Sequence, residues 1–435
     1  MSTTPYDDLA KQCIEDAPHY TTAVTAMADR TEVLATADIL ANNGTKLVAQ
    51  GTLLNSGLRE GLLKHKLLKP IDEYLSVRDG VTPESLARDA NNLLAGNASL
   101  CQLSKHSLDP LAMRHGLARL ALPPLMAFKL TVARTERPVL YAHLLTVALF
   151  ANYFALRLEL PERDTSMLLA AALYHDLGEL HTDPAMLDPK HKISELERRF
   201  IYVHPITSYL IAQGAGDVPS AVLAAILQHH ERLDGSGYPN GLPAEKITRF
   251  ARILGISDVA ASITSRSQDA GRFAALIRLN RNKYDARLLS ILQQGLAGAG
   301  DDPAAPATDI VAQLQAMAAL LDGWDRLKAS FTAGNHADPP AVVQFLFDRM
   351  FALRSHVLEF GFDPDSLAVL VELAQTDNAV AAELVTVMEE LHWQLADLAH
   401  EVERRRASVV AALAAERWEE LEGWLADLQR TLPRQ

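Results

Sequence analysis

The chain has 435 residues, 49% hydrophobic and 22% charged, a composition that suits a folded protein of about three domains and excludes a disordered chain or a collagen-like fibre. Lys and Arg total 41 against 54 Asp and Glu, a net charge of −13, so the diffuse positive field that holds a nucleic acid polymer is missing. A small phosphorylated ligand can still be met by locally bound cations. In chain order, Met1–Leu9 has acidic residues and no apolar run, which argues against a signal peptide. Cys13 and Cys101 are too few for a disulfide framework and fit a reducing, cytoplasmic setting. Val33 to Leu40 and Leu47 to Leu54 flank Asn42-Asn43-Gly44, which predicts a β-hairpin inside a small α/β segment covering residues 1–80.

From residue 81 onward the pattern predicts helix almost throughout, so the expected fold is mainly α: a helical bundle over 81–295 and a C-terminal helical domain over 309–435. Val139 to Leu156 is an 18-residue stretch without formal charge, the minimum for a membrane span. Its His143, Thr146 and Asn152, and the Arg157 that ends it, favour a buried core helix instead, so no membrane span is expected. Ser194-Glu195-Leu196-Glu197 fits a capping box and predicts a helix from about Glu195. Gly295 to Thr308 is the clearest linker. Beyond it Leu384, Met388, Leu391, Leu395, Leu398 and Val402 form an a/d-like stripe, which fits either a helix packed within its own domain or the seam of a homodimer.

Seven of the 15 histidines lie between His143 and His230. The informative ones are His143, His175-Asp176, His204 and His229-His230, followed by Asp258. Their separations of 32, 28, 25 and 28 residues are each about one helix and one connection, which lets successive helices of a bundle aim side chains at one point. A lone histidine in an apolar helix is ordinarily a hydrogen-bonded core residue; it is the ordered set that argues otherwise. Five imidazoles and two carboxylates exceed the needs of one metal and suit two, with Asp176 able to bridge. A nitrogen and oxygen donor set without thiolate suits iron, manganese or zinc. Next to the last histidine pair lies Glu231-Arg232-Leu233-Asp234-Gly235-Ser236-Gly237-Tyr238-Pro239-Asn240-Gly241-Leu242, where glycines and proline force irregular backbone. Its exposed donors and the Tyr238 ring are candidates to hold a phosphate or stack on a base.

On these residues, and on His204-Pro205, Ala251-Arg252-Ile253 and Ser257-Asp258-Val259, the stretch from Tyr141 to Leu289 resembles the HD-GYP family of metal-dependent phosphohydrolases. Asp38 to Val77 is weakly similar to the small leading segment of some multidomain members. The resemblance implies an all-α bundle and two divalent transition metals, iron or manganese ahead of zinc. The implied ligands are His143, His175, Asp176, His204, His229, His230 and Asp258. It also implies a cyclic dinucleotide substrate, cyclic di-GMP, with Arg232, Asp234, Gly235, Gly237, Tyr238, Pro239 and Arg266 as substrate-side residues and Asp176 and Glu179 as catalytic ones. Two cations would acidify a water between them and neutralise a phosphate oxygen.

The sequence departs from the family at three places. Glu179 replaces the usual Lys after His-Asp-x-Gly; three and four residues past Asp176 and His175 on a continuing helix, it would face the metals as an extra ligand or as an acceptor that orients one. Val139 stands where members with a third metal have a carboxylate, which favours two metals. Ser267 and Ala270 stand where cations that bind cyclic di-GMP are expected, with Arg266 and Arg272 nearby. Three functions follow: a cyclic dinucleotide phosphodiesterase, a metal-bearing sensor or scaffold of weak activity, or a phosphohydrolase of another nucleotide.

Overall fold

A computed structural model of the chain describes residues 7–107, 109–187, 195–235, 237–266, 283–296, 310–332, 341–359, 371–372, 374–375 and 378–432. The chain divides into two units, Met1–Ala270 with Arg281–Ala299, and Gly271–Asn280 with Gly300–Gln435. The first unit therefore contains both the leading 80 residues and the histidine-bearing helices.

The first unit opens with α1 (Asp7–Asp16) and α2 (Pro18–Met27), then four short strands, β1 (Val33–Ala35), β2 (Ile39–Leu40), β3 (Lys46–Val48) and β4 (Leu75–Val77), with α3 (Arg59–Leu63) among them. The Asn-Gly turn joins β2 to β3 as an antiparallel pair, with Gly44 at φ +82°. The hairpin is shorter than the sequence suggests. A register shift between Ile39 and Leu40 ends the ladder, and β1 pairs with β4 instead of extending it. Asp38 bends the chain between them, accepting from the Gln50 amide at 2.8 Å and pairing with Lys46.

Helices α4 (Pro83–Gly96), α5 (Ala98–Lys105), α6 (Pro110–His115), α7 (Pro124–Glu136) and α8 (Pro138–Arg157) follow. Four of them begin at proline, whose missing N–H and fixed φ suit the first helical turn. Thr82 and Ser85 close a capping box on α4. Helix α8 is apolar all round and forms the centre of the unit, with Leu144, Val147, Ala148, Phe150, Ala151 and Phe154 buried. Among the described residues it is the helix long and apolar enough to cross a membrane, and it is mostly buried inside the protein as a core helix.

Around α8 pack α9 (Glu162–Tyr174) and α12 (Arg249–Arg266), with α10 (Glu195–Gly214) and α11 (Ser220–Gln228) completing the bundle. The N-terminal α1 lies on α10, burying Ala10 against Val203 and Ile206 on either side of His204. Gly295 and Leu296 still belong to the helix Ala286–Leu296, so the expected linker begins later; residues 297–309 lie outside the described ones.

The second unit is helical as well, with helices Ile310–Thr332, Gln344–Glu359, Asn378–Arg404, Arg406–Ala412 and Ala415–Thr431. Leu384, Met388, Leu391, Leu395, Leu398 and Val402 are all buried in its core with Leu314, Trp324, Met350 and Trp424. The stripe is thus occupied within its own chain. The homodimer seam expected there is withdrawn, because those side chains have no free face to offer a second copy.

Candidate metal centre

Each ligand position expected from the sequence falls at the end of an element or on a face turned to one point. His143 sits in the second turn of α8, His204 within α10 just before Pro205, and Asp258 in α12. His175 and His229 occupy equivalent places: each is the residue that ends its helix, α9 or α11. There each turns its Nδ1 back to a carbonyl three residues earlier, His175 to Ala172 at 2.8 Å and His229 to Ile226 at 2.6 Å. Carbonyls of a last helical turn lack intrahelical partners, so a histidine that ends the helix supplies the missing donor. That bond places the proton on Nδ1 and leaves the Nε2 lone pair aimed into the centre.

Asp176 is the hub. Its Oδ2 lies 3.0 Å from His175 Nε2 and 3.5 Å from His143 Nε2; its Oδ1 lies 3.1 Å from His204 Nε2 and 3.4 Å from His229 Nε2. One carboxylate therefore addresses two groups of donors through two different oxygens. His143, His175 and Asp258 form one group, in which His143 Nε2 is 3.2 Å from Asp258 Oδ1. Asp176, His204, His229 and His230 form the other; His204 Nε2 is 3.3 Å from His229 Nε2 and 3.0 Å from His230 Nε2.

A test of whether these residues suit metal ions comes from the buried atoms. His175 Nε2 and Asp176 Oδ1 are fully buried and lack a hydrogen-bond partner, close as they are to other polar atoms. Leaving a buried acceptor unsatisfied costs about 1–3 kcal/mol, more when it is charged. His204 Nε2 faces the Nε2 atoms of His229 and His230 at 3.3 and 3.0 Å, with the other nitrogen of His229 already committed to a backbone carbonyl. Such a set is short of positive charge at its middle, and a cation satisfies it. The seven residues fit two ions.

Charge in the centre is uneven. Burial opposes ionisation of Asp176, but the His175 and His204 imidazoles hold its carboxyl well below the usual range, and His143 lowers Asp258 in the same way against burial. Burial would lower His143, yet contact with Asp176 and Asp258 pushes it up to about 10. Burial lowers His229, and burial with the neighbouring His229 and His204 rings lowers His230 further, which keeps both neutral and able to donate a lone pair.

Glu179 departs from expectation. Helix α9 stops at Tyr174 and a short 3₁₀ helix, Leu177–His181, takes over, so the spacing of a continuing α-helix does not apply. Among the described residues Glu179 belongs to neither donor group. Its carboxyl is pushed up to about 7 by burial and by the negative charge of Asp176. The 3₁₀ helix lies directly on α10: a Cβ on Gly178 would stand 2.6 Å from the His204 carbonyl oxygen, and the Gly178 N–H donates to Ser208 Oγ at 2.8 Å.

The loop after His230 folds against the centre. Tyr238 lies over His230 with ring centroids 4.6 Å apart, edge-on to Tyr202 at 4.6 Å. A Cβ on Gly237 would stand 2.4–2.5 Å from the backbone of His230, Glu231 and Arg232, so this glycine is needed for close packing. Arg232, expected on the substrate side, donates Nη1 to the carbonyls of His229 and Glu231 at 3.0 Å and covers the Tyr284 ring, bracing the loop. Asp234 and Gly235 are exposed at its tip, Gly235 with φ +76°, and Pro239 is half-buried. Arg266 ends α12, while its side chain and Ser236, Ser267, Ala270 and Arg272 lie outside the described residues.

Sequence reasoning missed Glu231. Buried beside the histidine pair, its two carboxylate oxygens accept from the Asn240 and Leu242 amides, both at 2.8 Å, and staple the loop shut. The available signal was a carboxylate inside a turn-rich segment with many unpaired amides. Ser208, one turn past His204, had no signal beyond its polarity.

Residues 126–288 match the HD domain family. Over 132 residues the chain is 32% identical to a cyclic di-GMP phosphodiesterase of Pseudomonas aeruginosa, covering 30% of this chain and 32% of that protein. It is 32% identical over 181 residues to the cyclic di-GMP phosphodiesterase response regulator RpfG of Xanthomonas campestris pv. campestris, covering 38% and 48%. A third relative, 3'3'-cGAMP-specific phosphodiesterase 1 of Vibrio cholerae, is 28% identical over 272 residues, covering 60% and 58%. The chain thus spans between 32% and 58% of the length of these relatives. The match falls on the central segment, where the resemblance to the HD-GYP family also lies.

Proposed function

We propose that residues 81–295 carry a binuclear centre that hydrolyses a phosphodiester of a cyclic dinucleotide, with cyclic di-GMP as the first substrate to try. The observation that carries this reading is the division of Asp176, one oxygen toward His143 and His175 and the other toward His204 and His229. His143, His175 and Asp258 would hold one divalent ion and His204, His229 and His230 the other, with Asp176 shared. These donors suit iron, manganese or zinc, and the resemblance to the HD-GYP family puts iron or manganese first. Such ions supply Lewis acidity, acidifying water and offsetting the charge of the phosphodiester.

The protein's own groups do the rest. His175 and His229 are locked in one tautomer by their helix-end carbonyls. Tyr238 walls the substrate side over His230 and offers a ring face to a base. Glu179, beside Asp176 and outside both donor groups, tunes the charge of the centre. That two relatives are named for cyclic di-GMP and one for 3'3'-cGAMP supports the substrate class and leaves the bases to experiment. A cytoplasmic setting accords with a soluble messenger as substrate.

The test is metal analysis of purified chain reconstituted with iron, manganese or zinc, with hydrolysis of both cyclic dinucleotides. Close to two metals per chain is expected, and Asp176→Ala loses at least one because two cations then lack a shared anion. Glu179→Gln keeps both. Reconstituted wild-type chain that stays metal-free would overturn the reading.

A further inference from the structure

Between Pro123 and Ala133 the only charged residue is Lys129, and it is 2% exposed. Its ammonium lies 2.5 Å from Asp72 Oδ2, 3.3 Å from His181 Nε2 and 3.9 Å above the Tyr20 ring. Asp72, itself buried, also accepts from the Tyr20 hydroxyl at 2.9 Å. His181 stacks on Tyr20 with centroids 4.6 Å apart and turns Nδ1 to the Cys13 carbonyl at 3.1 Å. Three of these groups, Cys13, Tyr20 and Asp72, come from the leading segment. The other two come from α7 and from the 3₁₀ helix next to Asp176.

A buried ion pair of this kind gives little net stability over apolar residues of the same volume. What it gives is direction. With the His181 Nδ1 proton committed to Cys13, Nε2 carries the lone pair that meets the ammonium. Burial and the Lys129 charge push this imidazole down to about 3, so it stays neutral and its ring cannot turn without breaking both bonds. The 3₁₀ helix that ends at His181 begins next to Asp176 and carries Glu179. Five residues at about 2 Å rise span only about 10 Å, too little to absorb a rotation at one end. Its middle is fastened by Gly178 to Ser208, and Arg137 holds the Thr182 carbonyl at 3.2 Å.

We propose that Lys129, Asp72 and His181 are positioning residues through which the leading segment fixes the turn that presents Asp176 and Glu179, so that metal affinity and turnover depend on groups outside the centre. The turnover half of this proposal rests on the hydrolytic reading above; the metal half does not.

The test uses the full chain. Lys129→Met, Asp72→Leu and Tyr20→Phe together replace the charged cluster by apolar side chains, and His181→Phe keeps the stack on Tyr20 while removing both hydrogen bonds. Four quantities are read: thermal midpoint, Mn²⁺ affinity by chelator competition, amide exchange at Gly178–His181 in the apo chain, and kcat and KM for cyclic di-GMP. The expected result is cooperative melting near wild type, faster exchange in the turn, Mn²⁺ affinity lowered about tenfold and kcat lowered with KM little changed. If the triple variant does not fold, His181→Phe carries the same four readings. Folded variants with wild-type exchange and Mn²⁺ affinity would overturn the proposal and leave the cluster a filler of the core. If wild type hydrolyses no cyclic dinucleotide, the proposed activity falls, while exchange and Mn²⁺ affinity still decide this proposal.

Discussion

At the scale of single residues, the loop beside the centre shows how a substrate-side position and a structural one are told apart. Gly237 is expected from sequence to touch substrate, so that a larger side chain would damage turnover and spare the metals. The structure places its missing Cβ against the backbone of His230, Glu231 and Arg232. A valine there must push on the carbonyl that follows a ligand ring, and overpacking of this kind costs about 1–3 kcal/mol. Gly237→Val is therefore expected to lower metal content and turnover together, by similar factors. Metal analysis beside kinetics checks this, and a variant with full metal and impaired turnover would return the residue to the substrate side.

At the scale of elements, the seven donors were legible because each sits one helix and one connection from the next, and that spacing survives any error in helix boundaries. What the spacing could not show is where a helix stops. Glu179 was placed by α-helical arithmetic, whereas the chain switches to a 3₁₀ turn after His175 because that ring, by bonding Ala172, ends α9. The strands were harder still, since two or three residues carry too little pattern to tell a hairpin partner from β4, some forty residues on. The Lys129 cluster left only one mark in the sequence, a single charge in the apolar stretch from Pro123 to Ala133.

That cluster makes a prediction about pH. The folded state holds His181 neutral down to about 3, while an unfolded histidine takes a proton near 6.5. Between those values the unfolded chain binds the extra proton, so stability falls as pH falls, by up to about 1.4 kcal/mol per pH unit from this group. Asp72, held below the usual carboxylate range by Lys129 and Tyr20 against its burial, adds to the loss lower still. His143 has the opposite shift, but below about pH 6.5 it is protonated in both states and its contribution is flat. Urea midpoints of wild type should thus drop faster from pH 6.5 toward 4 than those of His181→Phe. Parallel curves for the two would mean that His181 takes up its proton in the folded state.

At the scale of the whole molecule, one sequence pattern served two readings, and burial separates them. A stripe of apolar residues every three or four positions is the same in a dimer seam and in a helix packed on its neighbours. In the C-terminal unit Leu391 and Leu395 have no exposed surface, and the Trp424 indole that closes the same core donates to the Leu320 carbonyl at 3.1 Å. Truncating a fully buried leucine removes its transfer free energy and leaves a cavity, at a cost of about 2–5 kcal/mol. Leu395→Ala should therefore lower the denaturation midpoint of this unit while the mass measured by light scattering equals that of wild type, whatever that mass is. A variant that melts like wild type but dissociates to a smaller species would show that the leucine faces a second chain.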